Sequence, residues 1–136
     1  METVTYVHKS PHDAEEFWRI LGAFFEIDWL VGAGNYTVGE HDGHPARILT
    51  MQTPVVEYLL AADDGRKELR YGVLKNPFVP VDGYEATVNV EALPVGCSVT
   101  FLATFELDEE PLDRVGEMLS GAYRMMAGQI DNLLAS

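Results

Sequence analysis

Positive charge is scarce in this chain. Nine Lys and Arg stand against 22 Asp and Glu in 136 residues, a formal net charge of −13. Nucleic acid and anionic membrane surfaces both call for clustered cations, so neither is an expected partner. Cysteine is scarcer still. The single Cys97 excludes an intramolecular disulfide framework and a cysteine-built metal site, and between Gly96 and Ser98 it reads as a small filler at a strand entrance. No apolar run approaches the ~20 residues of a membrane helix, and no basic-then-apolar leader opens the sequence. The expected location is the cytoplasm. Repeats, low-complexity tracts and interdomain linkers are also missing, so residues 1–136 are expected to form one domain, with 47% hydrophobic content to build its core.

What is present is organised around the stretch from Pro111 to Leu134. Leu112, Val115, Leu119, Ala122, Met126, Ile130 and Leu133 recur at three- and four-residue steps, the stripe of an amphipathic helix. Pro111 suits a first helical position, and Asp108, Glu109 and Glu110 place negative charge at the positive end of the helix dipole. At 1.5 Å per residue the helix reaches roughly 35 Å and needs a partner surface of similar length.

The rest of the chain reads mostly as strands. Thr3 to Lys9 is rich in β-branched and aromatic residues and forms the first. Ser10 as cap, Pro11 in the first turn and Asp13 completing a box-like spacing then predict a short helix holding Phe17, Trp18, Ile20, Leu21, Phe24 and Phe25, interrupted near Gly22. Ile27, Trp29 and Leu30 lie on a second short helix or turn, ended by Gly32 and Gly34. From Asn35 the period falls to two. Tyr36 to Glu40 and Ala46 to Gln52 are joined through Asp42-Gly43, and Val55 to Ala62 and Glu68 to Lys75 through Asp63-Asp64-Gly65-Arg66, both hairpin signals. Tyr84 to Leu93 and Val99 to Leu107 alternate cleanly. Asn76 to Gly83 carries two prolines and a glycine, yet its Phe78, Val79 and Val81 are unusually apolar for a loop.

Several residues carry potential chemistry. Glu57 stands in a strand otherwise made of Val, Leu and Tyr. It reads either as a pocket carboxyl, protonatable because burial disfavours its charge, or as an outward partner of Arg47, Arg66 or Arg70. Tyr71 and Tyr84 can orient a carbonyl or enol through their hydroxyls, or can be ordinary sheet aromatics. Trp18 reads as core, and Trp29 as core or pocket wall. His41 and His44 flank a tight turn with no third ligand nearby, so no metal site is expected; His8 and His12 show no partner. Gly116, Gly121 and Gly128 interrupt the long helix, either for close packing on the sheet or to open volume for a ligand beside Tyr123 and Met126.

The order strand, two short helices, six strands, long helix resembles the helix-grip superfamily, which includes START domains, the birch pollen allergen class and the polyketide cyclase/dehydrase-like (SRPBCC) proteins. The resemblance covers essentially the whole chain. It is carried by Ala14-Glu15-Glu16-Phe17-Trp18 with Trp29 downstream, by Val55 to Leu60 followed by Asp63-Asp64, by Leu69-Arg70-Tyr71 and by the strand start at Tyr84. It implies an α+β fold, a seven-stranded antiparallel sheet gripping the C-terminal helix around an apolar cavity. Within the superfamily, plant abscisic acid receptors carry a Glu-Arg-Leu strand similar to Glu57-Tyr58-Leu59, a cavity aromatic similar to Tyr71 and an Asn-Tyr similar to Gly83-Tyr84. This chain departs from them at their gate, where it has Gln52-Thr53-Pro54, and at their latch histidine, near Phe78, so a hormone-receptor function is not carried over.

The resemblance favours the pocket for Glu57, with Tyr84 beside it as polariser, and walls drawn from Trp29, Tyr71, Phe78, Phe101, Leu119, Tyr123 and Met126. The cavity mouth is expected at Trp29 and the Asn76 to Asp82 loop. The implied function is binding of a small hydrophobic molecule, polyketide-like, aromatic or alicyclic, with cyclisation or dehydration by acid–base, lyase-type chemistry. No metal or cofactor is expected, and the chain is expected as monomer or homodimer. A non-catalytic carrier and a protein-interaction module are the alternatives.

Overall fold

The two periodicities of the sequence sort the described residues into one open sheet and three helices. The computed structural model describes residues 1–50, 54–74 and 81–136. Its elements are β1 (Glu2–Ser10), α1 (Ala14–Leu21), α2 (Asp28–Val31), β2 (Tyr36–His41), β3 (His44–Leu49), β4 (Val55–Asp63), β5 (Glu68–Val73), β6 (Val81–Ala92), β7 (Cys97–Leu107) and α3 (Leu112–Ala135). The sheet is antiparallel throughout, in the order β1-β7-β6-β5-β4-β3-β2, so strands two to seven form a meander and β1 returns beside β7. The connection from β1 to β2 must span the sheet from edge to edge, and α1 and α2 make that crossing. α3 then packs against β1, α1 and α2.

Local chemistry fixes the ends. Asp13, not Ser10, caps α1, accepting from the Glu15 amide at 3.2 Å. Ser10 is still paired with Cys97 in the sheet, and its hydroxyl accepts the His12 amide at 3.1 Å, ahead of the helix, while donating to Asp131 of α3. His8, which shows no partner in the sequence, meets the same Asp131 at 2.7 Å, so one carboxylate ties the end of α3 to β1. Pro111 sits one step outside α3 in extended conformation, and its carbonyl accepts the first helical bonds. The β2–β3 hairpin turns on Asp42 and Gly43 at φ 49° and 80°, the left-handed pair that a two-residue turn demands.

The inner face of the sheet and the buried side of α3 make the main core, with Phe17, Phe101, Phe105, Val115 and Ile130 fully enclosed. Ile27, Leu49 and Val55 form a second cluster under α2. The helix stripe is rotated slightly from expectation. Val115, Leu119, Tyr123, Ala127 and Ile130 are its buried residues, while Leu112 and Leu133 are exposed. Close packing does not explain the helix glycines: a Cβ at Gly121 or Gly128 would meet nothing within 4 Å, and one at Gly116 only Val4 at 3.8 Å. Among the described residues no helix is long and apolar enough to cross a membrane.

Candidate functional site

A cavity of about 140 Å³ opens between β4, β5, β6 and α3. Glu57 of β4, Tyr71 and Val73 of β5, Val81 and Tyr84 of β6, and Leu119, Ala122, Tyr123 and Met126 of α3 line it, together with Leu74. Exposed Leu74 and Ala122 form its rim. The sheet supplies one polar row and the helix one more. Among the described residues all other lining side chains are apolar.

Glu57 reaches this cavity by strand parity. It lies directly opposite Arg47 in the β3–β4 ladder, and both point to the inner face. Arg47 Nε donates to Glu57 Oε1 at 2.7 Å, and its Nη1 donates to the Phe24 carbonyl at 2.9 Å. The guanidinium also lies 3.9 Å above the Phe24 ring. Both halves of the pair are sheltered, the Arg47 side chain 6% exposed and that of Glu57 17%. The two sequence readings of Glu57 thus merge: it lines the pocket and is also paired with Arg47. A neutral, hydrogen-bond-donating carboxyl is not what this geometry describes, because the arginine supplies the counter-charge and occupies one carboxylate oxygen as acceptor.

Tyr84 owes its direction to a bulge. The β6–β7 register slips between Asp82 and Glu85, so two residues of β6 stand against one of β7. Gly83 takes the left-handed conformation there, φ 62°, which a side chain would disfavour by about 1–2 kcal/mol. The slip turns Tyr84 inward, in step with Ala86, Val88 and Val90, all of them buried. Its hydroxyl then shares a hydrogen bond with that of Tyr123, across from α3. Tyr123 in turn stacks on Phe101, centroids 4.7 Å apart at 13°. Phe101 is therefore the floor beneath the wall; it does not line the cavity itself.

Burial dominates the electrostatics of the three phenols. Loss of water raises Tyr71 and Tyr84 well above the ordinary tyrosine value and pushes Tyr123 up to about 12. All three remain hydrogen-bond donors at neutral pH. Unfolded tyrosines ionise near 10, so alkali draws protons from the unfolded chain first. The stability contributed by these groups is whole below pH ~10 and falls as pH rises through the folded value, by up to about 1.4 kcal/mol per pH unit for each phenol. Urea midpoints taken between about pH 9 and 11.5 should decline with that steepening slope, and a flat profile would contradict the buried cluster.

Of the residues expected from sequence, Glu57, Tyr71, Tyr84, Leu119, Tyr123 and Met126 converge on the cavity. Trp29 does not line it. It is half-buried on α2 against the core, and its indole N–H has no partner among the described residues. Phe78 and most of the expected mouth, residues 76–80, lie outside the described residues, as do Gln52 and Thr53; Val81 is in place as a lining residue. His41 and His44 lie against the Tyr58 ring at 4.9 and 6.1 Å, away from the cavity. Among the described residues no three His, Cys, Asp or Glu side chains assemble a metal site. Arg47 is the site residue that the sequence reading does not single out. Its signal is nonetheless present: Arg47 and Glu57 are opposite charges in two neighbouring apolar strands, a pairing that the β3–β4 ladder realises.

No family model and no curated protein sequence matches the chain. Solved structures do. An uncharacterised protein from Bacillus thuringiensis is similar at a TM-score of 0.80 and 17% identity, covering 99% of this chain and 100% of that one. The protein XoxI from Bacillus cereus gives 0.80 at 20% identity, with 98% and 95% covered. Norcoclaurine synthase from Thalictrum flavum, in complex with dopamine and hydroxybenzaldehyde, gives 0.75 at 15% identity, with 98% and 86% covered. At these identities the likeness speaks for the architecture, which agrees with the seven-stranded sheet, the two short crossing helices and the long terminal helix. The fold of this chain is therefore the helix-grip fold.

Proposed function

We propose that the chain binds a small, largely apolar, oxygen-bearing molecule in the cavity between its sheet and α3, and that Glu57 exchanges a proton with that molecule. The observation that carries this reading is the lining. Four polar side chains, Glu57, Tyr71, Tyr84 and Tyr123, face an otherwise apolar space, which is the composition of a small-ligand site. Tyrosine hydroxyls kept protonated by burial suit a carbonyl or enol oxygen. The carboxylate across from them suits a proton on the adjacent carbon. Norcoclaurine synthase, similar in fold, is in complex with dopamine and hydroxybenzaldehyde, which supports small aromatic compounds as ligands of this architecture. Against a protein-interaction module stands the same polar row, which such a module has no need to enclose.

Titration with cyclohexanone, followed by carbon-detected methyl shifts, tests the binding step. Val73, Val81, Leu119, Ala122 and Met126 should move saturably, while Val7 and Val95, both exposed and outside the cavity lining, should not. Shifts confined to the surface, or none, would sink the reading.

A further inference from the structure

Resting on that reading, we infer that the cavity takes an uncharged compound with a single six-membered ring whose oxygen faces the tyrosines, and that fused-ring polyketides are not its ligands. Size comes first. About 140 Å³ is under half the low end of ordinary ligand pockets, roughly 300 Å³. It is close to the ~150 Å³ of an engineered apolar cavity that accepts benzene. The walls cannot easily retreat: Tyr123 is backed by fully buried Phe101, and Tyr84 shares its strand face with Ala86 and Val88, both enclosed. Forcing extra atoms into such packing costs as much as it gains. Met126, half-buried and flexible, is the adaptable wall, and substituents leave past exposed Leu74 and Ala122.

Charge comes second. Glu57 is already engaged by Arg47, which also donates to the Phe24 carbonyl. A ligand carboxylate entering here would meet the Glu57 carboxylate, and a ligand ammonium would have to compete with a guanidinium held at 2.7 Å. One Glu57 oxygen is free, but Arg47 already balances the carboxylate charge, so a ligand charge of either sign would go unbalanced and a neutral ligand fits best. The hydroxyls come third. The Tyr84 hydroxyl meets those of both Tyr123 and Tyr71, which consumes two of the three protons. The third is left to donate, and a ligand oxygen is the acceptor that the described apolar walls do not supply.

Calorimetric titration with phenol, cyclohexanone, toluene, benzoate, benzylamine, 1-naphthol and anthrone reads all three parts. Phenol and cyclohexanone should bind several-fold tighter than toluene, and benzoate and benzylamine at least tenfold more weakly than phenol. Affinity should not increase from phenol to 1-naphthol to anthrone, since added rings bury nothing further inside. Tyr84→Phe leaves Tyr123 to donate and should lower phenol in part, whereas in Tyr84→Phe combined with Tyr123→Phe phenol should fall toward toluene while toluene itself is little changed, locating the oxygen at the tyrosines. A tenfold gain per added ring would overturn the single-ring limit while leaving ligand binding intact. Equal affinity of toluene and phenol would overturn the oxygen assignment, and tight benzoate or benzylamine the neutrality. No binding by any of the seven would overturn the ligand-binding reading and this inference with it.

Discussion

Arg47→Met is expected to cost about 3–5 kcal/mol of folding stability, the loss typical when one half of a buried ion pair is removed. Methionine follows the arginine stem and keeps most of its apolar contact. What goes is the charge opposite Glu57, the hydrogen bond to the Phe24 carbonyl and the cation over the Phe24 ring. Glu57 is left with its carboxylate facing an apolar cavity and Phe24 with an unanswered carbonyl. The two losses are separable. In Arg47→Met combined with Glu57→Leu no charge remains buried, and most of the loss should return, since apolar replacement of a whole buried pair is often neutral or better. Urea unfolding of the single and double variants measures this, with the midpoint shifting at constant slope. A single-variant loss below ~1 kcal/mol would mean the pair behaves as a solvated surface bridge, and the positioning of Glu57 at the cavity would then lack its anchor.

How far the sequence carries is clearest at three places. The clean alternation of Tyr84, Ala86, Val88 and Val90 is enough to put Tyr84 on the inner face, because period two is a local property of the strand. It does not disclose the bulge at Gly83 that makes this parity work, since Val81 and Tyr84 share the inner face across an odd number of steps and only the pairing with β7 shows the slip. Arg47 is the second place. In the sequence it reads only as a possible outward partner of Glu57, because the face it takes depends on the β3–β4 register, set by a turn whose geometry the residue types do not encode. The third is Trp29. Chain order alone places it over the presumed mouth, whereas the packing of α2 on the core leaves it beside the cavity. Cavity volume, near 140 Å³, is the least legible quantity, because it is a small difference between two long-range surfaces that no residue pattern records.

Glu57→Gln is expected to separate chemistry from binding. Glutamine keeps the volume and an acceptor oxygen for Arg47 Nε, so the variant should lose less stability than Arg47→Met and remain folded. It cannot accept a proton. In heavy water, the wild-type chain should speed exchange at the carbon beside the carbonyl of cyclohexanone. The C–H proton passes to the free Glu57 oxygen, the bonding pair becomes the C=C of the enolate, and the former carbonyl pair moves onto oxygen, where a tyrosine hydroxyl donates a hydrogen bond to it. After the carboxyl exchanges with solvent, reversal returns a deuteron to carbon, and every atom and electron pair is accounted for without a co-reactant. Positioned proton transfer of this kind contributes typically ~10²–10⁴-fold, so Glu57→Gln should lose most of that acceleration while its cyclohexanone affinity stays within about threefold, less than the 1 kcal/mol of one net hydrogen bond. Tyr84→Phe removes one hydroxyl of the hydrogen-bonded pair and leaves Tyr123 as the remaining donor, so it should lower both rate and affinity, the rate more, because a hydrogen bond to an oxygen gaining charge strengthens on the way to the transition state. Exchange by the wild-type chain no faster than buffer, with cyclohexanone bound in the cavity, would remove the acid–base role of Glu57 and leave a carrier.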